Sequence, residues 1–295
     1  TWSVVAVLQP LVREVVVANA NQTRAIATAK IKTDKVDALV LAQLLRCDYL
    51  PRVWQPDAAT QALRALATRR AVLTAERTRV KNRLHAVLHQ ALLTPPVADL
   101  FGVAGRAWLR TVPLPPLART TVDSDLRLLA VVEQELGLLT RAQAQTAHAD
   151  PRIRLLMTLA GVDVAVAQAL VAVLGDPTRF RDGAHAASYL GLVPSTHQSG
   201  DHCYHGPITK RGASHARWLL VQAAQHLGTH PGPLGVFFRR LAAKKNRNVA
   251  VVATARKLVG IAWQMLLWNE PYRYAQPRTT AEKLARVRVV AGAPR

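Results

Sequence analysis

The chain has 295 residues, half of them hydrophobic, and its mean hydropathy is +0.07, so it can bury a sizeable core. Lys and Arg number 39 against 18 Asp and Glu, and the formal net charge of +21 is spread along the chain. This composition excludes a disordered tail and predicts a polyanionic partner.

Nucleic acid fits that prediction better than a membrane, because no apolar run reaches the roughly 18 residues of a spanning helix. Cys47 and Cys203 make no disulfide framework, and no signal-like segment opens the chain, so we expect a cytoplasmic protein. The first residue is Thr1 rather than Met, which predicts that the sequence begins inside a longer reading frame or after processing.

The N-terminal region combines two valine-rich runs with a capped helix. The runs predict a helix before Arg13 and a buried strand at residues 15–18. Thr33 is a suitable N-cap for the helix TDKVDALVLAQLLR, whose first turn contains Asp34 and Asp37. Three residues apart, the two carboxylates point to one side and could share a divalent cation. The helix dipole alone also favours acids there.

Two long helical patterns follow, separated by a proline-rich break. Residues 58–93 contain no Gly or Pro, and residues 120–149 repeat leucines at helical spacing. The first pattern sets many cations, including Arg77 and Lys81, beside an apolar stripe, which suits a basic coiled coil or helical hairpin. We expect the two helices to pair antiparallel. The cations can contact a phosphate backbone or a partner helix, or can be merely solvated.

After Asp150 the sequence is typical of a compact helical domain. Its opening, LLMTLAGVDVAVAQALVAVLGD, reads as helix, turn and helix, with Gly161 in the turn. It looks like a helix-hairpin-helix, whose turn amides contact phosphate without reading the base sequence. A plain pair of core helices explains the same pattern.

The segment GLVPSTHQSG and the residues after it are dense in polar and basic groups. Ser199 precedes Gly200, which can take a positive φ and bring the backbone close to a ligand. Lys210 and Arg211 precede Ser214, a suitable N-cap, so cations gather where a helix N-terminus favours anions. We therefore predict a phosphate-binding loop, with an ordinary basic surface loop as the alternative.

Two other site types fit this segment poorly. A zinc site is disfavoured because no C-x-x-C or spaced His pair completes the local set of possible ligands. That set is His197, His202, Cys203 and His205. A Ser-His-Asp hydrolase is disfavoured because Ser199, Asp201 and His202 are sequence neighbours, whereas such triads are assembled from distant segments.

Three motifs, in this order, resemble those of one family. IKTDKVDALVLAQLL, LAGVDVAVAQALVAVLGD, and GLVPSTHQSG followed by ITKRGASHARWLL are similar to the DEDD, or Piv-like, transposases of insertion-sequence family 110. The resemblance covers roughly residues 1–270. It implies a RuvC-like, RNase-H-fold domain with four acidic ligands for Mg²⁺, a coiled-coil insertion, and a C-terminal domain with a nucleophilic serine.

The resemblance also implies roles for particular residues. Asp34 and Asp37 match the last two acids, and the first two are expected upstream of Thr1, so this chain lacks half of that set. Ser199 matches the nucleophile, with Ser195 as the second choice. Residues expected to contact nucleic acid are Arg77, Lys81, Gly161, Gly200, Lys210, Arg211 and Arg217.

The fold class expected from these features is mainly α. A partial α/β RuvC-like domain occupies residues 1–56, basic coiled-coil helices 57–150, the serine domain with its helix-hairpin-helix-like segment 151–270, and a flexible tail 271–295.

The function that the resemblance implies is cleavage and rejoining of DNA through a serine–DNA phosphodiester. A structured guide RNA and a homo-oligomer are the further partners that it implies. A decayed DNA- or RNA-binding remnant that lacks two of four acids is the alternative. A nuclease of the RuvC type that uses water instead of a serine is a third hypothesis.

Overall fold

A computed structural model of the protein describes residues 2–26 and 33–294. The chain divides into two compact units, residues 1–57 (unit 1) and residues 58–295 (unit 2). Unit 1 contains α1 (Trp2–Leu8), α2 (Ala20–Ile26) and α3 (Asp34–Arg46). Unit 2 contains α4 (Ala58–Gln90), α5 (Val103–Thr111), α6 (Pro116–Ala149), α7 (Pro151–Leu156), α8 (Val164–Leu174), α9 (Gly183–Tyr189), β1 (Pro194–Ser199), β2 (His202–Ile208), α10 (Ser214–Gln225), α11 (Pro233–Lys244), α12 (Arg247–Trp268) and α13 (Pro277–Ala291).

In unit 1 the capped helix is confirmed, whereas the predicted strand is wrong. The hydroxyl of Thr33 accepts a hydrogen bond from the backbone N–H of Val36 at 3.3 Å and caps α3. Residues 15–18 form no strand; Ala18 makes a single antiparallel bridge with Arg52. A strand needs a neighbour along its whole length, and the described residues of unit 1 supply one only at this point. The α/β character expected here is therefore absent from that described part.

The two long helices, α4 and α6, lie side by side and antiparallel. Leu73 of α4 packs with Val132 and Leu136 of α6, whereas Leu84, farther along α4, packs with Val122, nearer the start of α6. This reversed order confirms the expected direction of pairing. α6 begins at residue 116, four residues before the predicted start, because proline is well suited to the first turn of a helix.

The largest core of unit 2 surrounds α8, in which every residue from 166 to 174 is buried. α7, α9, α10 and α12 pack around it, together with one end of the α4–α6 pair. By length and composition alone α12 could cross a membrane. Ala250, Leu258 and Ala262 of this helix are fully buried, which is the pattern of a core helix.

The C-terminal segment differs from the flexible tail expected for residues 271–295. It forms α13, which packs against α6 and buries Lys283 and Val287. The sequence suggested a tail because Arg, Pro and small residues dominate it. The helix nevertheless contributes apolar side chains to the core, since Val287 is buried there and Leu284 packs against it.

Two glycines allow close backbone contact below the β1–β2 hairpin. Gly191 has a φ of +66°, and a Cβ there would overlap the backbone of Arg211. Gly212 has a φ of +72°, and a Cβ there would overlap the carbonyl oxygen of Tyr189. The backbone N–H of Lys210 donates to the carbonyl of Gly191 at 3.2 Å. The loop before α10 is thereby held against the segment that follows α9.

Alanine at position 191 should therefore destabilise unit 2 much more than alanine at Gly200. Gly200 is also left-handed, with a φ of +56°, but open space surrounds it. We expect Gly191→Ala to lower the free energy of unfolding by roughly 3 kcal/mol, and Gly200→Ala by about 1 kcal/mol. Urea unfolding of both variants measures the difference, and equal losses would contradict this description of the hairpin base.

Candidate functional site

The β1–β2 hairpin places Ser199 at an exposed tip. Its strands are antiparallel and are joined by the two-residue turn Gly200–Asp201, with Ser199 directly opposite His202. The positive φ of Gly200 fits a tight hairpin turn, as the sequence predicted. Directly opposed residues on a hairpin have Cβ atoms about 5 Å apart, so a hydroxyl and an imidazole lie side by side here.

The polar side chains of the hairpin divide between its two faces. Alternation along the strands sets Ser199 and His202 on one face and the pair Thr196–His205 on the other. On this second face, Thr196 Oγ1 lies 3.0 Å from His205 Nδ1, and Cys203 Sγ lies 3.8 Å from His205 Nε2. Across the described residues, no group of three or more His, Cys, Asp or Glu side chains could hold a metal ion.

The two candidate serines differ in their surroundings. Ser195 is half-buried, and its hydroxyl donates a hydrogen bond to the carbonyl of Pro207 at 3.2 Å. Ser199 is exposed, and its hydroxyl has no hydrogen-bond partner within the described part of the chain. Of the two hydroxyls, only that of Ser199 can therefore meet a large external substrate without first breaking an internal bond.

Below the hairpin, Lys210 and Arg211 are exposed, whereas Arg217 is hydrogen-bonded within unit 2. The guanidinium of Arg217 donates to the carbonyls of Leu190 (3.0 Å) and Arg211 (2.8 Å). These two bonds tie α10 to the loop, and both use the Nη1 atom. The predicted contact of Arg217 with nucleic acid stays a prediction. The expected N-cap, Ser214, is the first helical residue, because the chain already enters α10 after Ala213.

The α7–α8 turn contains Gly161 with a φ of +75°. A Cβ at this position would lie 3.1 Å from the carbonyl oxygen of Ala223 in α10, which is tighter than ordinary packing. Glycine therefore lets the turn approach α10 closely. The identification of this turn as a helix-hairpin-helix stays a prediction.

The cations predicted on α4 have different surroundings. Lys81 lies 4.0 Å from a carboxylate oxygen of Glu133 and 4.5 Å from the centre of the Phe101 ring. Arg77 is half-buried and has no ion-pair partner among the described residues. Arg77 is therefore the more available of the two for a phosphate.

Arg77 belongs to a cluster of basic residues that the sequence did not reveal, in which Arg70 lies close to both Arg77 and His215. The Nε atom of Arg70 is buried without a hydrogen-bond partner, and burial followed by the charge of Arg77 lowers the pKa of Arg70. Burial, and then the charge of Arg70, lowers the pKa of His215, whose ring stacks on the half-exposed Trp218. Arg70 and Arg77 are seven residues apart, a helical spacing that could have indicated the pair.

Asp34 and Asp37 both lie exposed in the first turn of α3 in unit 1. Asp37 also lines an open cavity of about 1190 Å³ within that unit, bordered mainly by apolar side chains. Mg²⁺ is commonly bound through one or two carboxylates together with water and substrate phosphate. The two aspartates fit that donor set as a pair. Ser199 and the cationic groups belong to unit 2.

Two family models match this chain. One, named for the DEDD domain of IS110 transposases, matches residues 1–93. The other, described as transposase IS116/IS110/IS902 family, matches residues 153–234 and includes the hairpin and the α7–α8 turn. The matched DEDD domain indicates that a divalent metal takes part in the reaction.

Several individual proteins are similar over most of the chain. A probable family 20 transposase of Pseudomonas aeruginosa is 29% identical over 82% of this chain and 74% of its own. The transposase for insertion sequence element IS1328 of Yersinia enterocolitica is 28% identical, over 79% and 71% of the two chains. A pilin gene-inverting protein of Moraxella lacunata is 27% identical, over 82% and 68%.

Both family models and these transposases agree with the resemblance seen in the three sequence motifs. The chain therefore belongs to the IS110/IS116/IS902 family of transposases, enzymes that act on DNA.

Proposed function

We propose that the protein cuts and rejoins DNA strands through a phosphodiester between DNA and Ser199. The observation that supports this most directly is the exposed, unbonded hydroxyl of Ser199 at the hairpin tip. The side chain of Ser195, in contrast, is held by a carbonyl at the hairpin base. A nucleophile that must reach a phosphate within a nucleic acid needs an exposed position such as that of Ser199.

In the proposed step, the oxygen of Ser199 attacks the scissile phosphorus. An Oγ–P bond forms as the bond from phosphorus to the leaving sugar oxygen breaks. The serine proton passes to solvent, and the leaving oxygen takes up a proton and becomes a free hydroxyl. Because one phosphodiester replaces another, the reverse attack by a sugar hydroxyl can rejoin strands without an external energy source.

Lys210 and Arg211 are proposed to stabilise the charge that develops on the phosphate. Both are exposed at the hairpin base, where Gly191 and Arg217 fix their backbone. Fixed cations near a phosphoryl group lower the barrier because they need little reorganisation during the reaction. The cluster of Arg70, Arg77 and His215 is proposed to bind the DNA backbone farther from the cut, which adds to the salt dependence of binding.

Asp34 and Asp37 are proposed to hold the divalent metal, which we assign as Mg²⁺. Both carboxylates are exposed on one side of α3, so they can turn to a common ion. When bound, Mg²⁺ supplies charge that polarises a phosphate oxygen. The carboxylates themselves bind and orient the ion, and Thr33 holds the start of their helix.

Sequence choice is proposed to depend on a structured guide RNA that pairs with DNA. The net charge of +21 suits binding of both an RNA and a DNA backbone. Binding to the backbone needs no base-specific contacts. A homo-oligomer is proposed because strand exchange requires more than one cut, and each subunit contributes one Ser199.

A non-cleaving nucleic-acid-binding protein is the second candidate. It is favoured by the observation that the described residues gather no cluster of three metal-binding side chains. Steeply salt-dependent binding of DNA, without cleavage at any divalent metal concentration, would support this second function over the first.

Replacing Ser199 should remove the covalent product but leave DNA binding intact. We expect Ser199→Ala to form no protein–DNA adduct on a denaturing gel, while its DNA affinity stays within about twofold, because the hydroxyl adds little to backbone binding. Ser195→Ala is the matched control and should still form the adduct. An adduct of normal yield from Ser199→Ala would refute the assignment.

Loss of either carboxylate should weaken metal binding. We expect Asp34→Asn and Asp37→Asn each to lower the affinity for Mn²⁺, measured by electron paramagnetic resonance, by roughly tenfold or more. EDTA should stop DNA cleavage by the unaltered protein. Asp48→Asn is the control, since Asp48 is an exposed acid of the same unit. Unchanged Mn²⁺ binding in both α3 variants would disprove the proposed metal site.

The pKa of His215 makes stability depend on pH. Because the folded protein lowers this pKa from 6.5, the unfolded chain takes up the proton more readily, and the free energy of unfolding falls as pH drops below about 6.5. His215→Gln should reduce the loss of stability between about pH 7 and about pH 5. The exposed His226 provides a control in His226→Gln, which should follow the unaltered protein. If the free energy of unfolding changed with pH in the same way for His215→Gln and the unaltered protein, this effect would be excluded.

A further inference from the structure

A buried lysine of α13 is bonded to the α7–α8 turn. The side chain of Lys283 is among the few buried charged groups, with a relative exposure of 9%. Its Nζ donates to three backbone carbonyls of the turn, those of Met157 (3.0 Å), Leu159 (3.2 Å) and Val162 (2.7 Å). Three carbonyl oxygens from one short segment thus converge on a single cation.

The hydrogen bonds indicate that this group is the charged ammonium. Three separate acceptors require three N–H donors, which the ammonium has and the neutral amine lacks. Burial lowers the pKa of Lys283, the carboxylate of Asp163 partly offsets that effect, and the charge of Arg286 adds to it. Burying a cation is costly, so a purely apolar side chain would be the simpler way to pack α13 here.

The three bonds also determine where the turn's amides point. A trans peptide directs its C=O and N–H to opposite sides, and the described residues contain no cis peptide. With the carbonyls of Leu159 and Val162 aimed at Lys283, the N–H groups of Ala160 and Asp163 point away from it. Within the described chain, neither N–H, nor that of exposed Gly161, has a hydrogen-bond partner.

We propose that Lys283 is a tethered cation that fixes the turn so that its free amides can bind a nucleic-acid phosphate. Lys283 is thus a positioning residue for binding, and the inference rests on the nucleic-acid function proposed above. Unpaired amides on neighbouring residues of a turn can form an anion site, and those of Ala160 and Gly161 are adjacent, whereas the Val162 N–H donates to the carbonyl of Leu159. The positive charge of Lys283 offsets the nearby carboxylate of Asp163.

The carbonyl site gives the proposal a specific chemical signature. An ammonium group and K⁺ are similar in size, and backbone carbonyls are good ligands for K⁺. If the lysine side chain is replaced by one of similar length without charge, the emptied carbonyls should accept K⁺ from solution. Tetramethylammonium is too large to enter and serves as the inert cation of equal charge.

The test is nucleic-acid affinity of the whole protein and of Lys283→Met, in KCl and in tetramethylammonium chloride at one ionic strength. In tetramethylammonium we expect Lys283→Met to bind a DNA duplex roughly tenfold more weakly than the unaltered protein, and K⁺ to restore most of the loss. Arg286→Met is the control, because it removes an exposed charge from the same helix. Its DNA affinity relative to the unaltered protein should be the same in both salts.

Two results would overturn the proposal. One is an unchanged DNA affinity of Lys283→Met. The other is an equal loss of DNA affinity in both salts, which would mean that the lysine acts only through its charge and not by occupying the carbonyl site. If Lys283→Met does not fold in tetramethylammonium, its thermal midpoint should rise with K⁺ at constant ionic strength, and a midpoint insensitive to K⁺ would overturn the proposal equally. Failure of the unaltered protein to bind DNA would instead reject the proposed function.

Discussion

The close backbone contact between residues 189–191 and 210–212 is the constraint on which the candidate site depends. Gly191 and Gly212 permit it, because any side chain at either position would overlap the opposite backbone. From this contact the hairpin extends outward and α10 starts inward, and Arg217 bonds both segments together. The hairpin base is thereby fixed to the largest core of unit 2, while the tip with Ser199 is left open.

This division between a fixed base and an open tip suits chemistry on a large, charged substrate. A phosphate in DNA cannot enter a deep pocket, so the reacting hydroxyl must project, and its surroundings must nevertheless be held in place. The exposed positions of Ser199, Lys210 and Arg211 agree with that requirement. Unit 2 also holds positive charge beneath its surface. The half-buried Arg70 lies in the cluster that contains His215 and the half-exposed Trp218, and the buried Lys283 lies near free backbone amides.

The sequence predicted features that depend on local patterns, and missed those that depend on distant contacts. The helix capped by Thr33 and the two long helices follow from a side-chain cap and from apolar spacing, and the structure confirms them. The strand at residues 15–18 failed because pairing needs a neighbour that periodicity cannot reveal. The sequence also did not reveal that Arg217 bonds the carbonyls of Leu190 and Arg211, because only folding brings these groups together. Lys283 was missed for the same reason, since its three acceptors lie more than 120 residues away.

Localisation of the DNA-linked residue by mass spectrometry tests the central claim most directly. The unaltered protein is reacted with DNA and RNA from the ends of its own element in the presence of Mg²⁺, then digested with nuclease and trypsin. The peptide that ends at Lys210 contains both Ser195 and Ser199, and fragmentation distinguishes them. The account predicts a nucleotide remnant on Ser199. A remnant on another residue, or cleaved DNA with no linked protein, would contradict it.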